Sequence, residues 1–264
     1  MRILFIGDVI AGSGRRAVAA LLPALRRELS LDLVVANGEN SAGGTGITRG
    51  AATSLFAAGV DLLTTGNHVW RQREALTYLP TTPKIVRPAN LPPGAPGLDA
   101  TILDVGGTPV LLTNALGRVF MSPMDDPFRA LDAVLARHAD EARVVVVDVH
   151  AEATSEKRAL GFYLDGRAGL VVGTHTHVPT ADAQILPGGT AYVTDVGMVG
   201  PLHSVIGAEV EPVVRRYLTA LPQKAGTAAD STAQFNAVLA DVDEASGHAR
   251  SIERIDRLVA LDGA

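Results

Sequence analysis

The sequence predicts an α/β protein with a parallel sheet and a second, hairpin-rich sheet. Three observations lead there. In the first half, short and nearly continuous apolar runs alternate with helical patterns. In the second half, three segments read as antiparallel hairpins, two of them turning on paired glycines. The composition, 47% hydrophobic and 19% charged, is that of an ordinary globular chain able to bury both sheets.

"RILFIG" (2–7), "LDLVVA" (31–36), "VDLLTT" (60–65) and "ARVVVVDV" (142–149) have the length and continuity of strands buried on both faces. A fifth strand is expected at 168–173. Helical patterns lie at 13–29, 48–59 and 125–141, and a helix start is plausible within 150–160. Pro23 is expected to kink the first helix or end its first half. Strand-helix alternation of this kind implies parallel pairing. "ATILDVGGTPVLLTNAL" (100–116) reads as a hairpin about Gly106-Gly107, and 181–197 repeats it about Gly188-Gly189. The third hairpin, 235–256, is longer, although "SIERIDRLVA" also fits a helix. "RPANLPPGAPGLD" (87–99) is a surface loop. No polar linker separates the halves of the 264 residues, so one domain is expected, with room for a small cap or insertion around 116–130.

Composition excludes several functions. A net charge of −5 argues against a general nucleic-acid surface. With no cysteine, any metal must be held by nitrogen and oxygen. "MRILFIGDVI" is broken by Asp8 and has no signal-peptide pattern, and no apolar run reaches membrane-span length. The expected location is therefore the cytoplasm, with no membrane partner.

The residues just past each strand are chemically alike. Gly7-Asp8 comes after the first. "NGEN", with Glu39 and Asn40, comes after the second, and "TGNHVW", with Asn67 and His68, after the third. His150 ends the strand at 142–149, and "GTHTH", with His175 and His177, comes after the strand at 168–173. Ligands of open α/β sheets bind at the carboxyl ends of the strands, so these scattered donors are expected to converge. Each alone has a plainer reading: a turn or cap for Asp8, a left-handed loop position for Asn67, a solvated loop for Glu39-Asn40, a hydrogen-bonded strand end for His150. The His-x-His pair says more, because alternate side chains of an extended backbone share a face. Five strand ends carrying donors, four of them beside a glycine, outweigh the separate readings.

Asp8, Glu39, Asn40, Asn67, His150, His175 and His177 are more ligands than one ion uses. Two four-coordinate ions sharing one carboxylate would use all seven. The mixture of imidazole, carboxylate and amide oxygen suits iron, manganese or zinc. Two-metal sites are a standard device for phosphate-ester hydrolysis, in which a bridging water is activated and phosphoryl charge is neutralised.

At these residues the sequence resembles the calcineurin-like metallophosphoesterase superfamily, whose blocks are Asp-x-His, Gly-Asp, Gly-Asn-His, a lone His and Gly-His-x-His. It is most similar to the YmdB-like family, with Gly-Asp-Val near the start, "NGEN", "GNH" and "GTHTHV". The matched blocks span residues 7 to 200. Two departures from the wider superfamily stand out. Asp8 is followed by Val9 and Ile10 in place of the expected histidine, and Glu39 replaces the bridging aspartate. The YmdB-like pattern shares both and puts Asn40 in the missing histidine's place. The resemblance implies one ion on Asp8, Glu39, Asn40 and His177, and a second on Glu39, Asn67, His150 and His175. The first site is then oxygen-rich, which favours iron or manganese while allowing zinc.

The resemblance also implies an α/β/β/α fold of two packed mixed sheets flanked by helices. It implies a small phosphodiester substrate, in particular 2′,3′-cyclic and also 3′,5′-cyclic nucleotides, cleaved by a metal-bridging hydroxide. His68 would be the proton donor to the leaving oxygen, against the plainer role of a hydrogen-bond partner to the ligands. Two rivals remain: a metal-dependent hydrolase of the amidohydrolase type, whose His-x-His comes early in a barrel, and a non-catalytic, metal-dependent ligand sensor. A homo-oligomer is compatible with the sequence. Arg15 or Arg16 could approach a phosphate, but the turn opening a helix is the simpler reading. Trp70 could stack on a base, but core packing is simpler. Residues 150–160, including Glu152 and Glu156, are expected to support the site from behind.

Overall fold

Along the first strand, β1 (Arg2–Ile6), Ile3 and Phe5 pack into one core while Leu4 and Ile6 pack into another. All four are fully buried. That two-sided burial is the reason for the continuous apolar run, and it recurs in β3 (Leu33–Asn37), β7 (Val144–His150) and β8 (Leu170–Thr174). The computed structural model describes residues 1–261.

The first sheet contains β1, the short β2 (Asp8–Val9), β3 and β4 (Leu62–Thr64). β1, β3 and β4 are parallel neighbours. The second contains β5 (Ala100–Val105), β6 (Thr108–Leu116), β7, β8, β9 (Gln184–Ile185) and β10 (Ala191–Val193). Its order is β5-β6-β7-β8-β10-β9, parallel at the centre with an antiparallel strand at each edge. The chain then returns to the first sheet with β11 (Met198–Pro201), β12 (Thr232–Val242) and β13 (Ala249–Ala260). β12 runs antiparallel to β1 from Ala237 to Asp241, and β11 pairs with β12 beyond that point.

The helices are α1 (Ala11–Glu28), α2 (Arg49–Ala58), the short α3 (Ala75–Tyr78), α4 (Pro127–Arg137), α5 (Thr154–Tyr163) and α6 (Val210–Thr219). Three cores result. Leu22 and Leu55 cover the outer face of the first sheet through Leu4, Val34 and Ala36. Between the sheets, Phe5, Val35 and Val238 meet Leu112, Val146 and Val172. Leu131 and Leu160 cover the outer face of the second sheet at Val145, Val147 and Val171. Each such fully buried aliphatic side chain contributes on the order of 1.5–3 kcal/mol. The layering is the α/β/β/α sandwich expected from the resemblance. Two open sheets leave no barrel, so the amidohydrolase-type rival lacks its scaffold.

The structure decides between two pairs of alternatives and corrects one expectation. Pro23 does not end α1, which continues to Glu28. The carbonyl left without a donor belongs to Ala19, on the exposed side of the helix, where water can take its place. "SIERIDRLVA" is a strand, held by pairing with β12 along its whole length. The third hairpin, β12–β13, joins the first sheet and not the second. Residues 117–126, in the region expected to hold a cap, form an irregular loop between β6 and α4. Among the described residues, no helix is long and apolar enough to cross a membrane.

Candidate metal centre

The same alternation that builds the inter-sheet core builds the site. Val144 and Val146 of β7 point between the sheets; two and four residues later the same face carries Asp148 and His150. On β3, Leu33 and Val35 are followed at that spacing by Asn37 and then Glu39. On β8, Leu170 and Val172 are followed by Thr174. Toward the carboxyl ends, the apolar core thus gives way to a buried polar layer of Asn37, Thr64, Asp148 and Thr174. The donor side chains lie on top of it.

The polar layer orients His150. Asp148 accepts from Thr64 Oγ1 at 2.6 Å, Thr174 Oγ1 at 2.6 Å and Asn37 Nδ2 at 2.9 Å. Thr174 has one hydroxyl proton and commits it to Asp148. At the 2.8 Å contact between His150 Nδ1 and Thr174 Oγ1, the imidazole is therefore the donor. That turns Nε2 to the site. Around it stand Asn67 Oδ1 at 3.0 Å, His175 Nδ1 at 3.1 Å and Glu39 Oε1 at 3.2 Å. His175 is oriented from its far side, where Nε2 lies 3.2 Å from Glu152 Oε2. His177 is fixed likewise: Nδ1 donates to the Ile206 carbonyl at 2.8 Å, leaving Nε2 for the site.

Glu39, His150 and His175 offer ligand atoms all within 4.8 Å of one another. Asp8 is fully buried, 3.6 Å from His177 Nε2, and accepts the His175 N–H at Oδ2. Its Oδ1 is buried without a hydrogen-bond partner. A buried carboxylate oxygen without a donor is costly unless a cation completes it. Burial alone would raise the Glu39 carboxyl, but the charges and hydrogen bonds of His150 and His68 hold it well below its ordinary value. Burial likewise opposes charge on His150, yet Glu39 and Asp8 push it up to about 9. His175 is pushed down to about 4, by burial first and then by His150. Glu39 and Asp8 thus hold positive charge at His150, while the imidazole of His175 beside it stays neutral. With the orphaned Asp8 oxygen, this donor set fits a metal centre.

All seven expected ligands lie in this region, two features of them with unexpected geometry. The backbone is not extended at the His-x-His pair: φ is 94° at His175 and 65° at His177. β8 ends at Thr174, so the pair stands on a strained turn and not on a shared strand face. Left-handed non-glycine backbone costs on the order of 1–3 kcal/mol per residue and persists only where the surroundings enforce it. Asn40 directs Nδ2 to Glu39 Oε1 at 3.0 Å and to His177 Nε2 at 3.3 Å, while Oδ1 accepts from His68 Nδ1 at 2.9 Å. To serve as an oxygen ligand, its amide would have to turn by half a revolution.

His68 sits above the cluster. Its backbone N–H donates to Glu39 Oε2 at 2.9 Å, and Nδ1 is 3.3 Å from Glu39 Oε1. The side chain is 26% exposed, so one side of the ring is open while the other is anchored. Gly66 makes room beneath: a Cβ there would overlap Glu39 Oε2 and His150 Nε2. Arg15 instead bonds the Ser41 carbonyl from within α1, and Trp70 packs on the core, both as the simpler readings had it. A cavity of about 240 Å³ opens beside His177, lined by Ile10, Gly44, Ile206 and Thr227. A larger one, about 600 Å³, lies at the amino ends of β6 and β7, away from these donors.

Sequence reasoning missed Asn37, Asp148 and Thr174. A signal was present in "VVVVDVH", where a carboxylate interrupts a buried run two residues before His150, on the same face. It also missed the buried pair Lys157 and Asp195, whose Nζ and Oδ2 are 2.6 Å apart.

Comparison with known proteins gives a consistent picture. A family model described as YmdB-like protein matches residues 4–255. A 2′,3′-cyclic-nucleotide 2′-phosphodiesterase of Bacillus subtilis (strain 168) is 45% identical, over 97% of this chain and 96% of that protein. A crystal structure described as a hypothetical protein from Thermus thermophilus is 50% identical with a TM-score of 0.92, covering 98% of this chain and 99% of that one. A structure described as a novel phosphatase from Mycoplasma pneumoniae is 33% identical with a TM-score of 0.93, covering 99% and 95%.

Proposed function

Since the chain belongs to the YmdB-like family of calcineurin-like metallophosphoesterases, we propose that it hydrolyses cyclic nucleotides at a two-metal site. 2′,3′-Cyclic monophosphates are the leading substrates and 3′,5′-cyclic monophosphates the next. The activity named for the Bacillus subtilis relative, alike over nearly the full length, supports this substrate class. One observation carries the metal reading: acceptor atoms of Asn67, His175 and Glu39 converge on His150 Nε2. Glu39 would be shared. Asp8, Asn40 and His177 would complete one ion's sphere, and Asn67, His150 and His175 the other's. Iron or manganese suits the oxygen-rich first set.

When bound, the ions would supply an activated water and Lewis-acid neutralisation of phosphoryl charge. The chain's own residues then have distinct tasks. His68 Nδ1 faces Glu39 Oε1 at 3.3 Å, so the proton this ring gives away is the one on Nε2. As water oxygen bonds to phosphorus and one phosphorus–ribose-oxygen bond breaks, that proton passes to the departing ribose oxygen. The product is a nucleotide monoester. The cavity beside His177, apolar at Ile10 and Ile206, offers space for the ribose or base.

The test is an assay of stripped protein, with and without added Mn²⁺ or Fe²⁺, against bis-p-nitrophenyl phosphate, 2′,3′-cyclic AMP and 3′,5′-cyclic AMP. Metal-dependent release of monoester from 2′,3′-cyclic AMP is the expected result. A metal-replete protein inert toward every diester would refute the proposal.

A further inference from the structure

Thr176 is the single residue between the two site histidines, and its polar groups engage a different partner. Its hydroxyl donates to Asp195 Oδ2 at 2.6 Å, and its backbone N–H reaches the same oxygen at 3.2 Å. Asp195 is fully buried. Its Oδ2 also accepts from Lys157 Nζ at 2.6 Å, and its Oδ1 accepts the Gly197 N–H at 2.7 Å. Its own backbone is tied to Thr180 in both directions, N–H to hydroxyl at 2.9 Å and carbonyl to N–H at 3.0 Å. Lys157 is fully buried as well, rising from the first turn of α5. Gly173, the glycine of "GTHTH", is where the lysine stem passes: a Cβ there would overlap the Thr194 carbonyl and sit 2.8 Å from Lys157 Cδ.

We propose that the buried Lys157–Asp195 pair is a positioning device for the His-x-His turn, acting through Thr176. Two left-handed residues flank Thr176, and such a turn needs an external constraint to hold one shape. Asp195 supplies it with two bonds to the residue between the histidines. Lys157 neutralises the carboxylate, which otherwise would be an uncompensated buried charge. The consequence is a set separation between His175 Nδ1, facing His150, and His177 Nε2, facing Asp8. This inference rests on the two-metal reading: the device sets how far apart the two coordination spheres stand.

The test compares Thr176→Val, which keeps volume and removes the hydroxyl, with Thr176→Ser, which restores it. Stripped proteins are titrated with Mn²⁺, bound ions are counted, and the electron paramagnetic resonance spectrum is read for the exchange-coupled pair. The thermal midpoint of the metal-free protein monitors folding. Thr176→Val should bind Mn²⁺ about tenfold or more weakly and lose the coupled signature, with kcat falling and KM little changed. Thr176→Ser should recover both. Thr176→Val with wild-type affinity and an unaltered coupled spectrum would overturn the proposal. A wild-type chain that binds a single ion would overturn the two-metal reading and this inference with it. Should Thr176→Val not fold, the neutral pair Lys157→Met with Asp195→Asn is subjected to the same two measurements, with the same outcomes deciding.

Discussion

His150 Nε2 lies 3.1 Å from His175 Nδ1, and each imidazole is anchored through its other nitrogen, to Thr174 and to Glu152. Two basic nitrogens held this close, with a carboxylate and an amide oxygen beside them, offer a seat to a cation. The polar layer that anchors His150 is buried and fully paired around Asp148.

The space at this junction is protected by a glycine. Gly66→Ala would push a methyl group against Glu39 and His150. It should weaken Mn²⁺ binding at least about tenfold and cost about 1–3 kcal/mol of stability, although no ligand is changed. Titration of the stripped variant and urea unfolding check both.

Glu39 lies 3.2 Å from His150 Nε2 and is linked to His177 through the Asn40 amide. Glu39→Gln should cost both ions and reduce diester hydrolysis by about a hundredfold or more. Retention of both ions with full turnover would remove its bridging role.

His68 is anchored to the ligands without being needed to complete either sphere. His68→Ala should keep the bound metal and lose turnover by about a hundredfold. The loss should be smaller for a diester whose leaving group needs no proton, such as p-nitrophenolate. An equal loss on both substrates would contradict the acid role.

Asp182 gives a pH signature far from the ions. Burial tends to raise its carboxyl, but bonds from the Thr194 and Thr180 hydroxyls and the Thr194 N–H hold it below its ordinary value of 3.8. Arg158 Nη1 adds a contact at 3.3 Å. A depressed folded-state value stabilises the protein at higher pH, and the contribution fades as pH falls below about 4. Solvent screens this part-exposed carboxylate, so Asp182→Asn should cost about 0.5–1 kcal/mol at pH 7 and less near pH 3. Urea unfolding at the two pH values checks this, and an equal cost at both would contradict it.

The donors at the strand ends were legible because burial on both faces leaves continuous apolar runs that stop abruptly at Gly7-Asp8, "NGEN", "GNH" and "GTHTH". What was not legible depends on partners distant in sequence. The strand β13 reads partly as a helix because Ile255 and Val259 are buried four residues apart, and pairing with β12 decides the matter. The helix α6 escaped notice because Val210, Val214, Tyr217 and Leu218 are exposed and Val213 alone is buried, with Pro212 in its first turn. The positive φ at His175 and His177 is enforced by Asp195, twenty and eighteen residues later, which no local pattern announces.

The proposed centre is a pair of ions sharing Glu39. The most direct measurement is elemental analysis of stripped protein re-equilibrated with Mn²⁺ and freed of excess metal by gel filtration. Two ions per wild-type chain, with neither retained by Glu39→Gln, is the expected result. One ion or none per wild-type chain, or two ions held equally well by Glu39→Gln, would contradict it.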